Sequence, residues 1–206
     1  MYKPGRILSN NSKTICSLNL PIAGHCRPTK NCAKDCYART GRQAYPASKK
    51  KQQWVSDYLK DEEDISQLIE ECRPQRAVRL CGSGDLLETH ARNILALADA
   101  LPDTQFWGMT RKLEIAKLLN GVYDNLRVLV SWDGSTPPEV LGYPGKVCFG
   151  PRRAEDMVPD NDQIVVVFPR HFGGRVIKGI ERHPKDCPGV WHEVDNCLQC
   201  GNCWVW

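Results

Sequence analysis

Residues 14–36 read TICSLNLPIAGHCRPTKNCAKDC, a short β-rich run followed by a polar loop that contains three cysteines. The run TICSLNL ends at Pro21 and is rich in β-branched and apolar residues, which predicts a strand. The loop places Cys26, Cys32 and Cys36 directly after this strand, with the spacing C-x5-C-x3-C. Parallel α/β folds carry their chemistry at the carboxyl ends of their strands. The segment therefore predicts the first strand of such a fold and the position of its functional site.

The rest of the chain alternates between strand patterns and helix patterns. Such alternation predicts right-handed βαβ units and a parallel α/β sheet. A complete eight-fold barrel typically needs about 250 residues, so the 206 residues here predict a partial, TIM-like (β/α)6 barrel or an open doubly wound sheet. We expect residues 1–168 to form this domain and the irregular, Cys-rich residues 169–206 to form an extension packed on it. The six predicted strands lie near 14–20, 77–81, 104–109, 126–131, 146–149 and 163–168.

The charge and the apolar runs of the sequence limit the class of protein that this chain can be. The net charge of +4 is too small to imply nucleic-acid binding by itself. The amino-terminal residues lack the apolar core of a secretory signal, and the longest apolar run, IVVVF, is too short to cross a membrane. We therefore expect a cytoplasmic protein with no membrane partner. In a reducing compartment, clustered cysteines bind metal or take part in catalysis rather than form disulfides.

Cys26, Cys32 and Cys36 form what we term the first cysteine group. Three thiolates with one vacant ligand position suit a [4Fe–4S] cluster whose fourth iron stays open. Cationic neighbours would help to stabilise the thiolates. The alternative is a zinc loop in which His25 or Asp35 supplies the fourth ligand. The cationic residues near the group are Arg27, Lys30, Lys34 and Arg39.

A second cysteine group lies near the carboxyl terminus, in CPGVWHEVDNCLQCGNCW. Its C-x2-C-x2-C run resembles that of ferredoxins, and a fourth thiol lies upstream, so we expect a second, fully ligated [4Fe–4S] cluster with a structural or electron-transfer role. A zinc ion held by four thiolates is the alternative. Trp191, Trp204 and Trp206 are expected to cover this site, with His192 beside it. The group comprises Cys187, Cys197, Cys200 and Cys203.

The order of motifs resembles that of radical S-adenosylmethionine (SAM) enzymes. In that superfamily three cysteines after the first strand hold a [4Fe–4S] cluster, and a Gly-rich acidic turn after the second strand binds the SAM amino group. The resemblance implies a barrel of radical-SAM type and gives the turn role to Gly82, Ser83, Gly84 and Asp85. It also implies that Ser131, after a later strand, meets the ribose or carboxylate of SAM. The cysteine spacing is longer than the usual C-x3-C-x2-C, and Asp85 replaces the usual Glu.

Four motifs together are similar to the phage protein family called gene product 88: CAKDCYA, GSGD, CFGPR and the terminal cysteine run. The resemblance implies a phage origin, hence a location in the host cytoplasm and an electron donor from the host. It also implies an iron–sulfur protein with a radical-SAM-like fold, but it does not imply a substrate.

Three functions remain open at this level. The first is a radical-SAM-like enzyme acting on a nucleic acid, a nucleotide or a host protein. The second is an iron–sulfur binding or redox factor without SAM chemistry that recognises nucleic acid or a host protein. The third is a structural module stabilised by zinc. The remaining cysteines are expected to pack in the core, while charged residues after the strands are candidates to line a substrate cavity: Arg111, Lys112, Asp133, Arg152, Arg153, Arg170 and His171.

Overall fold

The computed structural model describes residues 4–11, 15–136, 143–152, 156–169, 171–172, 175–176, 180–188, 193, 197–200 and 203. Seven strands form one sheet, and each strand pairs with the next one along the chain. The first pair is antiparallel and the following five are parallel. The strands are β1 (Ser9–Asn11), β2 (Ile15–Asn19), β3 (Ala77–Ser83), β4 (Gln105–Thr110), β5 (Leu126–Trp132), β6 (Val147–Arg152) and β7 (Ile164–Pro169).

The strand order argues against the doubly wound sheet, which was one of the two predicted architectures. A doubly wound sheet reverses its strand order at a switch point, whereas the order here runs from β1 to β7 without reversal. The described strands also leave the sheet open, so it is not closed into a barrel. The six predicted strands are confirmed, but β1 was not predicted. The carboxyl-terminal tail, predicted to be irregular, contains a short hairpin of β8 (His171–Phe172) and β9 (Arg175–Val176).

In the described part of the chain, helices connect β2 to β3, β3 to β4 and β4 to β5, and most of them pack on one face of the sheet. Pro46 occupies the first turn of the longest helix, where its missing N–H costs nothing. The predicted helix end at Asn120–Gly121 is confirmed, with Gly121 at φ +81°. None of the described helices is long and apolar enough to cross a membrane. The helices are α1 (Lys30–Lys34), α2 (Pro46–Asp61), α3 (Ser66–Cys72), α4 (Ala91–Ala100), α5 (Leu113–Leu119) and α6 (Cys197–Cys200), with single 3-10 turns at Tyr37–Arg39, Gly41–Ala44 and Glu88–His90.

The sheet has two differently covered faces. The helix-covered face holds the larger core, in which strand residues such as Val78, Phe106 and Val128 pack against the helices. The opposite face carries Trp107 and Leu129, and thiols of the carboxyl-terminal tail pack against it. We term this opposite surface the tail face; its buried residues are Ala77, Trp107, Leu129, Cys148 and Val166, together with Cys203 from the tail.

Candidate functional site

The loop of the first cysteine group is docked on the loop that follows β5. The Thr29 side chain accepts a hydrogen bond from the Cys32 backbone N–H at 3.2 Å and thereby caps α1, a one-turn helix that sequence patterns did not predict. The Thr29 hydroxyl also donates to Asp133 Oδ2 at 2.5 Å. The Asn31 N–H donates to Ser135 Oγ at 2.9 Å. Cys32 is therefore held in place by two different segments of the chain.

The thiols of Cys32 and Cys36 and the carboxylate of Asp85 lie near enough to Cys26 for their charges to act on it. The pKa of the Cys26 thiol is raised to about 12, mainly by burial and then by the negative charges of Asp85, Cys32 and Cys36. The Lys112 ammonium opposes them. Three thiols and a carboxylate thus share one partly buried region, and their ionised forms need a positive partner there. A metal cluster is one such partner.

His25, next to Cys26, is not turned toward the thiols. Its Nδ1 lies 3.1 Å from the Ala23 carbonyl oxygen and its Nε2 lies 2.7 Å from Ser56 Oγ. Ser56 Oγ is also 3.2 Å from Nε2 of His90. Both ring nitrogens of His25 therefore have partners, and the side chain ties the Cys26 loop to α2 instead of offering a free nitrogen to a metal ion.

The predicted SAM-binding turn is packed tightly against the end of β2. The Ser83 hydroxyl donates to the Leu20 carbonyl at 3.2 Å, and the Leu20 N–H donates to the Ser83 carbonyl at 2.9 Å. A Cβ on Gly84, which has φ +71°, would lie 2.3 Å from the carbonyl oxygens of Leu20 and Pro21. A Cβ on Gly82 would lie 2.3 Å from Asn19 Oδ1. Close backbone packing therefore accounts for the small residues of this turn.

Asp85 is buried where the loops after β3 and β4 meet. Its carboxylate accepts hydrogen bonds from the N–H groups of Leu86 at 2.8 Å and Arg111 at 3.3 Å. Burial raises its pKa, while the Thr110 hydroxyl and the Lys112 ammonium lower it. Lys112 is itself buried and donates to the Leu86 carbonyl at 2.6 Å. The carboxylate is thus fixed beside Cys26 by the ends of two neighbouring strands.

A cavity of about 470 Å³ opens beside the first cysteine group. Small-molecule sites commonly measure 300–1,000 Å³. Arg111 crosses it, donating to the carbonyls of Ser131 at 3.0 Å and Gly150 at 3.2 Å and forming an ion pair with the buried Asp133 at 3.0 Å. The cavity is lined by Arg27, Thr29, Lys30, Arg111, Ser131 and Ser135, among others.

Three thiols of the second cysteine group lie on the tail face. The Cys187 N–H donates to the Val167 carbonyl of β7 at 2.7 Å, and Cys197 packs against the same apolar cluster. Burial raises the pKa of the Cys203 thiol well above its usual value, and the charges of Cys187, Cys148 and Cys197 raise it further. Cys148 was predicted to be a core thiol. It is buried, as expected, but it also lies beside the second cysteine group.

Arg79 is a site residue that sequence patterns did not identify. It lies in β3, its guanidinium carbon is 5.3 Å from the Trp107 ring centroid, and its buried Nε has no hydrogen-bond partner in the described part of the chain. Its positive charge acts to lower the pKa of Cys81, Cys148 and Cys203. The sequence feature that could have identified Arg79 is its position as a charged residue within the otherwise apolar run AVRLC. Arg79 therefore provides positive charge near Cys203 of the second cysteine group and near the buried thiols of Cys81 and Cys148.

The predicted site residues thus fall into two regions. Asp85, Cys32 and Cys36 each act on the pKa of Cys26 in the first region, and the Ser131 hydroxyl bonds the Cys148 thiol of the tail face in the second. Among the described residues, no set of three or more His, Cys, Asp or Glu side chains is placed to hold a metal ion. For several predicted site residues, the whole residue or its side chain lies outside the part of the chain that the structure describes. These residues are Arg152, Arg153, Arg170, His171, Trp191, His192, Trp204 and Trp206.

In a comparison with protein families, the model of the gene product 88 family matches residues 3–205. The chain belongs to the gene product 88 family. The family resemblance inferred from the cysteine motifs is therefore confirmed over nearly the whole chain. Searches among curated proteins and solved structures gave no match. For this gene product 88 member, function has to be argued from the two thiol regions themselves.

Proposed function

We propose that this protein is an iron–sulfur protein that binds two [4Fe–4S] clusters and acts as a radical-SAM-like enzyme. The observation that carries the proposal is the position of the Cys26–Cys36 loop, which follows β2 at the carboxyl edge of the parallel strands and is hydrogen-bonded to the loop after β5, with Asp85 near enough to act on the pKa of Cys26. The uninterrupted order of β2 to β7 supports a partial (β/α)6 barrel of radical-SAM type, even though the sheet stays open.

The residue types of the first cysteine group suit a cluster with one open iron. When bound and reduced, such a cluster supplies the electron for reductive cleavage of SAM. The chain supplies three thiols, with the Lys112 ammonium near Cys26 as a positive partner. Asp85 offers a buried carboxylate that would pair with the amino group of SAM. The adjacent cavity would accept the rest of the ligand, with Arg111 and Ser131 on its wall.

The tail face fits a second, fully ligated cluster. Thiolate-ligated clusters carry net negative charge, and Arg79 brings to the thiols of this face a buried N–H that has no hydrogen-bond partner among the described residues. Such a cluster would pass electrons from a host donor toward the first cysteine group. The proposed ligands are Cys187, Cys197, Cys200 and Cys203, of which Cys203 is the most deeply buried.

A second candidate function is an iron–sulfur redox or binding factor without SAM chemistry. One observation favours it: Gly82, Ser83 and Gly84 are explained by their packing on the end of β2. The turn therefore does not require a bound ligand to account for its sequence. In this case the first cluster would keep its open iron for water or for a side chain of a partner.

Anaerobic purification followed by iron and sulfide analysis tests the cluster proposal. Two cubanes require about eight irons per chain, and one requires about four. Cys26→Ser should remove one half of the iron and Cys203→Ser the other half. Cys16→Ser is the matched control, since that buried thiol donates to Gln75 Oε1 at 3.1 Å and serine can replace it there. A colourless protein with stoichiometric zinc would instead establish the zinc-stabilised module.

Addition of SAM and dithionite separates the two iron–sulfur functions. The enzyme should release 5′-deoxyadenosine and methionine, and Asp85→Asn should weaken SAM binding while the iron content stays unchanged. An iron-replete protein that forms neither product would refute the enzyme and leave the redox or binding factor.

A further inference from the structure

The segment that contains the first cysteine group is the most basic part of the chain. Residues 27–51 contain eight Lys and Arg against one Asp, whereas the whole chain has 28 Lys and Arg against 24 Asp and Glu. Acidic side chains therefore outnumber basic ones in the rest of the protein. Seven of these cationic residues are exposed: Arg27, Lys30, Lys34, Arg39, Arg42, Lys49 and Lys50.

Exposed aromatic side chains lie in the same segment. Tyr37 is 61% exposed and Tyr45 is 60% exposed. Of the large hydrophobic side chains that are exposed in the described part of the chain, Tyr37 and Tyr45 are the two aromatic ones. An ordinary solvated charge run has no need of exposed aromatic rings, whereas binding surfaces use rings that are apolar on one side and polar at the tip.

Hydrogen bonds hold the chain around both rings in place. The Tyr37 hydroxyl donates to the Gly82 carbonyl at 2.6 Å, so the Tyr37 ring, which follows Cys36 directly, reaches the carboxyl end of β3. The 3-10 turn before Tyr45 is fixed to α2, because Gln52 Nε2 donates to Gln43 Oε1 at 2.8 Å. Both rings are therefore presented on a segment of fixed backbone.

We propose that residues 27–50, here termed the basic tyrosine surface, bind single-stranded nucleic acid. Lys and Arg side chains neutralise backbone phosphates, and exposed aromatic rings stack on unpaired bases. Duplex DNA is a poorer fit because its bases are already stacked, and the helical elements within residues 27–45 are too short to read a groove.

This surface adjoins the first cysteine group, which makes nucleic acid the substrate class of the site. That second step rests on the proposed iron–sulfur function, but the binding does not. Tyr37 follows Cys36 directly and bonds the carboxyl end of β3, so a base stacked on its ring would lie beside the first cysteine group.

The test is fluorescence anisotropy of labelled 20-nucleotide oligo-dT and oligo-U with the anaerobically purified full chain, at several salt concentrations. Lys34→Gln, Arg39→Gln and Arg42→Gln together should reduce the slope of log affinity against log salt by about 2, since each phosphate contact on a single strand contributes roughly 0.7. Tyr45→Ala should weaken binding roughly 5- to 150-fold, while Tyr45→Phe, which keeps the ring, should not.

A matched control removes the same charge elsewhere. Arg73→Gln, Arg92→Gln and Lys117→Gln alter exposed cations outside the surface and should leave affinity within about twofold. Equal losses in both triple variants, tighter binding of duplex, or binding to anionic phospholipid vesicles but not to oligonucleotides would each overturn the proposal.

Iron analysis of the same preparations separates the two proposals. Oligonucleotide binding by a protein that contains no iron would refute the cluster proposal and support the proposed nucleic-acid surface. Iron-replete protein that binds none of the oligonucleotides would refute the proposed nucleic-acid surface and leave the cluster proposal in place.

Discussion

A buried histidine pair makes the strongest prediction about stability. The His90 side chain is 0% exposed, and its Nδ1 accepts the Leu87 N–H at 3.2 Å. Its Nε2 therefore carries the proton and donates to Ser56 Oγ, whose own proton goes to Nε2 of His25. This chain of hydrogen bonds requires a neutral His90. It joins the loop of the first cysteine group to the loop after β3.

Acid should therefore destabilise the fold through this residue. Burial lowers the pKa of His90 from 6.5 to about 4, with the charges of His25, Lys112 and Lys60 acting in the same direction. Because the unfolded chain binds the proton more tightly, the stability contribution is complete above pH 6.5 and is lost as the pH falls toward 4. At 1.36 kcal/mol per pH unit, the loss is about 3 kcal/mol.

Urea unfolding followed by circular dichroism at pH 7, 5.5 and 4 measures this loss, with His90→Gln as the variant that cannot titrate. The difference between wild type and variant is the readout, because Asp85 acts in the opposite direction: its pKa is raised by burial, so its contribution is present in acid and lost as the pH rises. Parallel pH dependence in the two proteins, or an NMR titration of His90 near 6.5, would refute the reasoning.

Three further perturbations test other parts of the structure. Gly84→Ala should cost roughly 3 kcal/mol in urea unfolding, because the added Cβ meets two carbonyl oxygens, whereas Gly121→Ala, at φ +81° in open space, should cost only about 1 kcal/mol. Asn125→Ala should lower the unfolding free energy by about 2 to 3 kcal/mol, since the two protons of its buried side-chain NH2 are shared among three carbonyl oxygens within 3.1 Å. If the second cluster forms, Arg79→Gln removes a positive charge near it and should make its reduction potential more negative by on the order of 50 mV in an EPR-monitored redox titration. An unchanged reduction potential would show that the charge of Arg79 does not act on the cluster.

The sheet was predictable from the sequence because each parallel strand is a compact β-rich run between polar turns. Cys26, Cys32 and Cys36 could be placed at the carboxyl edge for the same reason, since the end of a strand fixes where its loop begins. β1 was missed because its three residues, SNN, have no strand-like pattern and are held by pairing with β2. Local propensity cannot reveal a strand that exists only through its partner.

Residues on the tail face were harder to assign, because their role depends on what covers that face. Cys148 has the pattern of an ordinary core thiol within β6, and only the return of the tail brings Cys203 beside it. Arg79 similarly shows its role only when the thiols around it are known. Sequence order alone carries no information about such long-range neighbours.

These long-range contacts link the two cysteine groups through a continuous set of polar bonds. Thr29, which caps the helix of Cys32, donates to Asp133, and Asp133 pairs with Arg111. Arg111 then donates to the Ser131 carbonyl.

The same set of bonds reaches the tail face, since the Ser131 hydroxyl bonds the Cys148 thiol, which lies beside Cys203. The members of this path are held by burial or by a second partner, so the two thiol regions lie at opposite ends of one connected set of polar contacts. A cluster bound on the tail face would therefore lie at one end of this path and the first cysteine group at the other.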